Sequence, residues 1–356
     1  MPIALFPENL QRYIIVIPQS ILVGFIGMMI FRIAKQLYNR NIALMALLLF
    51  LVNPWVYWNV KSPMTAVLQT FLYLIFAYFA AIELLDVFGL LKEKRKYGFV
   101  VRGIIIGLAG ASLALSHAAM LAVVLLFAFI LFITTLFKST KHLLTAMITV
   151  IVVICLIAPW TYRNWVVFNK FIPVSGGGGL DYFNGNIHWT GIEAEPQRTG
   201  EGFIGASLRV LGIKGSEAND IHWKGFIDIR LEELANKKMI EHIKEYPVLF
   251  IKKVVLNAVE YYFPAFVMPF RAVKIITAES WALSIFHLFL WILAIVGLFY
   301  CWRVGLFLLA GIILYAVWYY PFATFIGHSL YTLGAMPFLC ILSAAGIMFF
   351  LKRKNK

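Results

Sequence analysis

The sequence predicts an all-α, polytopic membrane protein: a bundle of about nine transmembrane helices with an outward-facing loop region that contains an amphipathic interfacial helix. Three observations carry this expectation. Hydrophobic residues make up 62% of the 356-residue chain and charged residues only 13%, far from the roughly 25% charge of a soluble domain. Apolar runs of span length recur along the chain, separated by short basic turns. A single long polar stretch interrupts them.

A helix satisfies its own backbone where water is absent, so runs of about 20 apolar residues read as spans. Such runs fall at residues 13–34, 42–60, 64–84, 99–115, 118–137, 143–162, 281–302, 304–325 and 330–351. The apolar stretch 98–137 is too long for one crossing and is divided at Ser116-His117. Lys35 and Arg40, then Lys92, Lys94, Arg95, Lys96 and Arg102, then Lys138 and Lys141, Arg303, and finally Lys352, Arg353, Lys354 and Lys356 occupy alternate connections and the C-terminus. By the positive-inside rule these ends are cytoplasmic, and the long segment after Arg163 faces outward. Three regions result: transmembrane helices over 1–162, an extracytoplasmic loop with interfacial helices over 163–280, and transmembrane helices with a basic tail over 281–356. The net charge of +14 is therefore topological, and nucleic acid is not expected as a partner because no soluble domain carries a basic patch. The same parity places the N-terminus outside, yet residues 1–12 show no signal-peptide pattern, which implies either a further span upstream or a native outward start.

Cys155, Cys301 and Cys340 lie in or beside spans without metal-type spacing and read as packing residues. The outward region opens on glycines at 176–179 and on Asn184-Gly185-Asn186, residues that form turns and let backbone approach a ligand. Ile227, Leu231, Ala235, Met239 and Ile243 then recur every four residues, which predicts an amphipathic helix over 224–245 that Pro247 ends or kinks. Residues 248–267 are apolar but carry Lys252, Lys253 and Glu260, the pattern of an interfacial or re-entrant helix.

One order of motifs extends over nearly the whole chain. Pro159-Trp160, Arg163-Asn164, an apolar linker, Phe171-Ile172-Pro173-Val174-Ser175, several glycines and Tyr182-x-x-Gly185-Asn186 follow one another at the end of a span. Ile243-Lys244-Glu245-Tyr246-Pro247 with Phe250-Ile251-Lys252-Lys253, and Phe31-Arg32-Ile33-Ala34 through Asn53-Pro54, flank this stretch. Together they resemble the bacterial multi-spanning glycosyltransferases of the GT-C superfamily, the family 39-like class that includes protein mannosyltransferases and aminoarabinose transferases. The resemblance implies transfer of a sugar from a polyprenyl-phosphate-linked donor to a glycan, lipid or protein acceptor on the outer face of a bacterial cytoplasmic membrane.

Under that resemblance Arg163 reads as the cation for the donor phosphate, its planar fork suiting phosphate oxygens; a snorkelling arginine at a helix end is the alternative. Asn164, Asn184 and Asn186 read as partners of sugar hydroxyls or as turn formers, and Tyr182 and Gly185 join them in the substrate-binding set. His117, His328 and Tyr331 complete that set at outward span ends. Trp160, Tyr162, Trp165, Phe183 and Trp189 offer stacking faces or form an interfacial belt. Asp181, the acidic residue within the hallmark segment, is the weak candidate for a base, because the family's usual acidic base belongs upstream of Met1. Thr65-Ala66, Ser116-His117 and Leu330-Tyr331 stand where relatives carry Thr-Glu, Arg-Pro and Arg-Tyr. Neither cofactor nor metal is assigned, and a divalent ion is left open because the sequence shows no ligand cluster. Two further readings remain: a transporter or flippase of lipid-linked sugars, and a non-catalytic subunit that keeps the lipid groove.

Overall fold

The structure, a computed structural model, describes residues 8–61, 66–88, 98–136, 140–175, 229–263, 278–300, 302–319 and 333–354. They form twelve helices and, among the described residues, no strand: α1 (Glu8–Leu37), α2 (Arg40–Leu51), α3 (Pro54–Lys61), α4 (Ala66–Val87), α5 (Phe99–Ser116), α6 (Ala119–Leu136), α7 (Thr140–Phe168), α8 (Ile229–Glu245), α9 (Pro247–Tyr262), α10 (Ala278–Tyr300), α11 (Trp302–Tyr319) and α12 (Met336–Lys354). Six described helices are long and apolar enough to cross a membrane, and α2 with α3 makes a seventh if that pair counts as one span. The protein is thus a multi-pass membrane protein, and the nine expected spans are not all reached among the described residues. The apolar part of α12, Met336–Leu351, is shorter than a full span.

Two expected elements differ in ways that sequence chemistry explains. The run 42–60 is not one straight span but a pair bent by 52°. The Asn53 carboxamide oxygen accepts the Trp55 N–H at 3.0 Å, a side-chain turn that competes with helix, and Pro54 opens α3, where its missing N–H is no loss. The span expected to end at residue 162 instead continues as helix through Pro159 to Phe168. Arg163 and Asn164 therefore project from helix rather than from a loop.

The chain divides into two compact units, one of Met1–Arg163, Ile285–Trp318 and Leu330–Lys356, the other of Asn164–Ser284 and Tyr319–Ser329. In the first, α2 packs between α1 and α12, α4 packs on α1 and α5, and α5 packs on α6. Ile26, Ile30, Ile42, Ala46 and Phe50 are buried there with Ala344 and Ala345. Large apolar residues such as Phe129 and Ile154 are exposed, as expected where hydrocarbon is the solvent. Lipid removes most of the hydrophobic drive between helices, so small residues and hydrogen bonds hold them. A Cβ on Gly103 or Gly107 of α5 would lie 2.8 Å and 2.6 Å from the Cβ atoms of Ile148 and Val152 on α7. In the same seam the Thr149 hydroxyl reaches the Gly103 carbonyl at 3.3 Å. The Tyr73 hydroxyl of α4 donates to the Gly311 carbonyl of α11 at 2.6 Å.

In the second unit the chain leaves α7 through Asn169, which adopts the left-handed region at φ 53, a conformation asparagine tolerates. Lys170 then pairs with Glu233 of α8. Pro247 separates the amphipathic α8 from α9 by starting the latter at its first position, so the interfacial segment expected over 248–267 is represented by Pro247–Tyr262.

Candidate functional site

The far end of α7 carries the residues that the motif order singled out. Trp160 and Arg163 are three apart and hence on one helical face, and the guanidinium carbon lies 5.1 Å from the centroid of the Trp160 ring. That contact is of cation–π type and holds the fork against an aromatic plate. Arg163 nevertheless stays exposed, beside exposed Tyr162, Trp165 and Val166. An exposed, oriented guanidinium among interfacial aromatics is suited to receive phosphate oxygens at the boundary between hydrocarbon and water.

Asn164 does different work. It is 2% exposed, and its Nδ2 donates to the carbonyls of Ile172 and Val174, each at 3.0 Å. Both amide hydrogens are engaged by the chain, so the side chain clasps the turn after α7 and leaves no amide donor for a sugar hydroxyl.

His117 sits half-buried at the corner between α5 and α6, where residue 117 ends one helix in extended conformation. Its Nδ1 accepts the Ala119 N–H at 3.3 Å, which caps the start of α6 and puts the ring proton on Nε2. Burial lowers its pKa below the ordinary 6.5. The imidazole is therefore neutral at pH 7. Among the described residues no group of three His, Cys, Asp or Glu side chains is arranged to hold a metal ion. Asp181, Tyr182, Asn184, Gly185, Asn186, His328 and Tyr331 lie outside the described residues.

At the opposite end of α7 the structure joins Arg102, one of the basic residues between spans, to residues that the motif order did not single out. Glu83 is fully buried. His142 Nδ1 lies 2.7 Å from its Oε1, and Arg102 Nη1 lies 3.4 Å from its Oε2. Arg102 also donates to Asp86 Oδ2 at 2.9 Å, and His142 Nε2 approaches the same oxygen at 3.7 Å. This knot ties α4, α5 and α7. The signal was present in the sequence: Glu83 and Asp86 are three apart, on one face of an otherwise apolar helix. Between His142 and Arg163 α7 rises about 30 Å, the thickness of a hydrocarbon core.

No family model, curated protein or solved structure matches this chain significantly.

Proposed function

We propose that the protein is a GT-C-like membrane glycosyltransferase that moves a sugar from a polyprenyl-phosphate-linked donor to an extracytoplasmic glycan, lipid or protein acceptor at a bacterial cytoplasmic membrane. The observation that carries this reading is the guanidinium of Arg163, held against Trp160 yet exposed at the end of α7, inside a motif order similar to that of the superfamily. In the reaction an acceptor hydroxyl attacks the anomeric carbon, the bond from that carbon to the phosphate oxygen breaks, and the proton passes to a carboxylate, for which Asp181 is the candidate in this chain. Polyprenyl phosphate departs as an anion, and Arg163 stabilises the charge that develops on it.

The test is transfer in proteoliposomes from labelled polyprenyl-phosphate sugars. Arg163→Ala is expected to lower transfer at least tenfold, with Arg163→Lys intermediate because a point charge lacks the fork. Absence of transfer with every donor, together with donor binding that ignores Arg163→Ala, would sink the reading.

The second reading, a transporter or flippase of lipid-linked sugars, is favoured by two observations: the break between α2 and α3 and the ion pairs of Arg102 on α5 with Glu83 and Asp86 on α4. Discontinuous helices and intramembrane charges line many transport paths. A fluorescent lipid-linked sugar that crosses proteoliposomes without being transferred would select it. A subunit that binds donor with no turnover and no crossing would select the non-catalytic reading.

A further inference from the structure

The corner between α2 and α3 lies at hydrocarbon depth. α2 has twelve residues, a rise of about 18 Å, which falls well short of a crossing of roughly 30 Å. Irregular backbone at that depth must be satisfied by the protein, and here it is: Asn53 Oδ1 accepts from the Trp55 amide and the Asn53 carbonyl accepts from the Val56 amide. The side chains are another matter. Asn53 Nδ2, Trp55 Nε1 and Asn59 Oδ1 are sealed from solvent and have no hydrogen-bond partner among the described residues. On α4, which packs against α3 and α1, both Gln69 carboxamide atoms are in the same state. Asn53, Asn59 and Gln69 are each no more than 1% exposed.

A buried polar atom without a partner destabilises the fold, and apolar residues would fill these positions at no such cost. The inventory of orphaned atoms says what fits them. Three are donors, on Asn53, Trp55 and Gln69; two are acceptors, on Asn59 and Gln69. An anion only accepts and would strand both oxygens, whereas a cation only donates and would strand three N–H groups. A hydroxyl does both. The set suits groups that both donate and accept, as the hydroxyls of a neutral ligand do. α3 adds aromatic surface of the kind that covers the C–H face of such a ring: Trp58 stands edge-to-face with Trp55 at 6.1 Å, and Trp58 and Tyr57 are exposed.

We propose that the α2–α3 corner, with Gln69 of α4, is a binding site for a neutral sugar, opened when the eight-residue α3 swings about Asn53-Pro54. Naming the ligand a sugar rests on the glycosyltransferase reading; the orphaned atoms by themselves call for groups that both donate and accept hydrogen bonds. One chemistry has two sources here, a glycolipid headgroup in the bilayer or a free sugar in solution.

The full chain in phosphatidylcholine nanodiscs is titrated with monoglucosyl diacylglycerol, with diacylglycerol, or with free glucose, and followed by tryptophan fluorescence and thermal melting. Saturable fluorescence change and a raised melting temperature with the glucolipid, but not with diacylglycerol, are expected. A response to free glucose at equal occupancy would support the site with a soluble source. Gln69→Leu, an apolar side chain of similar volume, is expected to raise the melting temperature of the empty protein and weaken glucolipid binding at least tenfold. The proposal is overturned if wild-type protein ignores both sugars, or if Gln69→Leu melts lower while binding glucolipid unchanged, the behaviour of an amide held by fixed internal water. Transfer is assayed on the same preparations. Glucolipid binding without any transfer removes the enzyme and leaves this site standing, while transfer without glucolipid binding does the reverse.

Discussion

Gly297 of α10 and Gly346 of α12 set how closely those two helices cross. A Cβ at Gly297 would fall 1.9 Å from the Leu342 carbonyl oxygen, and one at Gly346 would fall 2.0 Å from the Leu293 carbonyl oxygen. The relation is reciprocal: each glycine rests on backbone four residues before the other. Backbone cannot rotate aside as a side-chain tip does, so Gly297→Ala must separate the helices until that contact relaxes from 1.9 Å toward the ordinary 3.4 Å. Gaps of about 0.5–1 Å already forfeit a quarter to a half of the dispersion attraction. The separation also strains the Ser343 hydroxyl, which reaches the Leu290 carbonyl at 2.7 Å. Overpacking of this kind costs about 1–3 kcal/mol, and an interhelical hydrogen bond in a membrane adds about 0.6 kcal/mol. Gly24 is the control, since it is exposed on α1 with nothing within 4 Å of its would-be Cβ; Gly24→Ala should be neutral or stabilising by up to about 1 kcal/mol. Thermal unfolding in one fixed detergent should show Gly297→Ala several degrees below wild type and Gly24→Ala at or above it. Adding Gly346→Ala should cost less than it does alone, because the helices have already parted. A Gly297→Ala protein that melts within about one degree of wild type would refute the close crossing.

Two other perturbations probe the bundle. Arg102→Leu leaves Glu83 buried with a cation removed, and breaking a buried pair in this way costs about 3–5 kcal/mol; the variant should lose monodisperse protein in detergent, and recovery of wild-type melting by Arg102→Leu alone would show the knot to be dispensable. For His117 the sign follows from burial: its folded pKa lies below 6.5, so on acidification the unfolded chain takes up a proton first and stability falls as pH drops below 6.5. Melting temperatures of wild type and His117→Gln between about pH 7.5 and pH 5.5 should diverge, the glutamine variant giving the flatter profile, whereas parallel profiles would remove His117 as a source of acid sensitivity.

Local chemistry explains what the sequence made legible. Ser116-His117 interrupts an apolar run with two polar residues, and the helix ends there. Asn53-Pro54 is equally visible, but an apolar run of span length masks the corner it makes, because composition reports total hydrophobicity and not direction. The apolar run of α7 stops at 162 but the helix continues to Phe168; Asn164 is buried there on the carbonyls of Ile172 and Val174, a contact settled by the fold of the following turn. The knot shows the same limit. Glu83 and Asp86 advertise a shared face, but only tertiary packing brings Arg102 and His142 to them from two other helices. The spacing of Gly103 and Gly107 is a local motif, though which helix it meets is not a local fact.

These features bear on whether the protein works as a fixed platform or as a rocking carrier. Any movement of α4, α5 and α7 against one another would have to part Glu83, Asp86, Arg102 and His142 at the end where they are tied. Separating a buried carboxylate from the Arg102 guanidinium is among the most costly moves in a low-dielectric interior, and the glycine seam between α5 and α7 resists sliding as well. Moving α3 asks far less: it is short, it starts at a proline, and its closed position leaves buried donors and acceptors without partners, so opening or filling that corner relieves a cost instead of adding one. Motion is therefore expected at α3 while the three knotted helices hold still, with α7 presenting Arg163 from a fixed base.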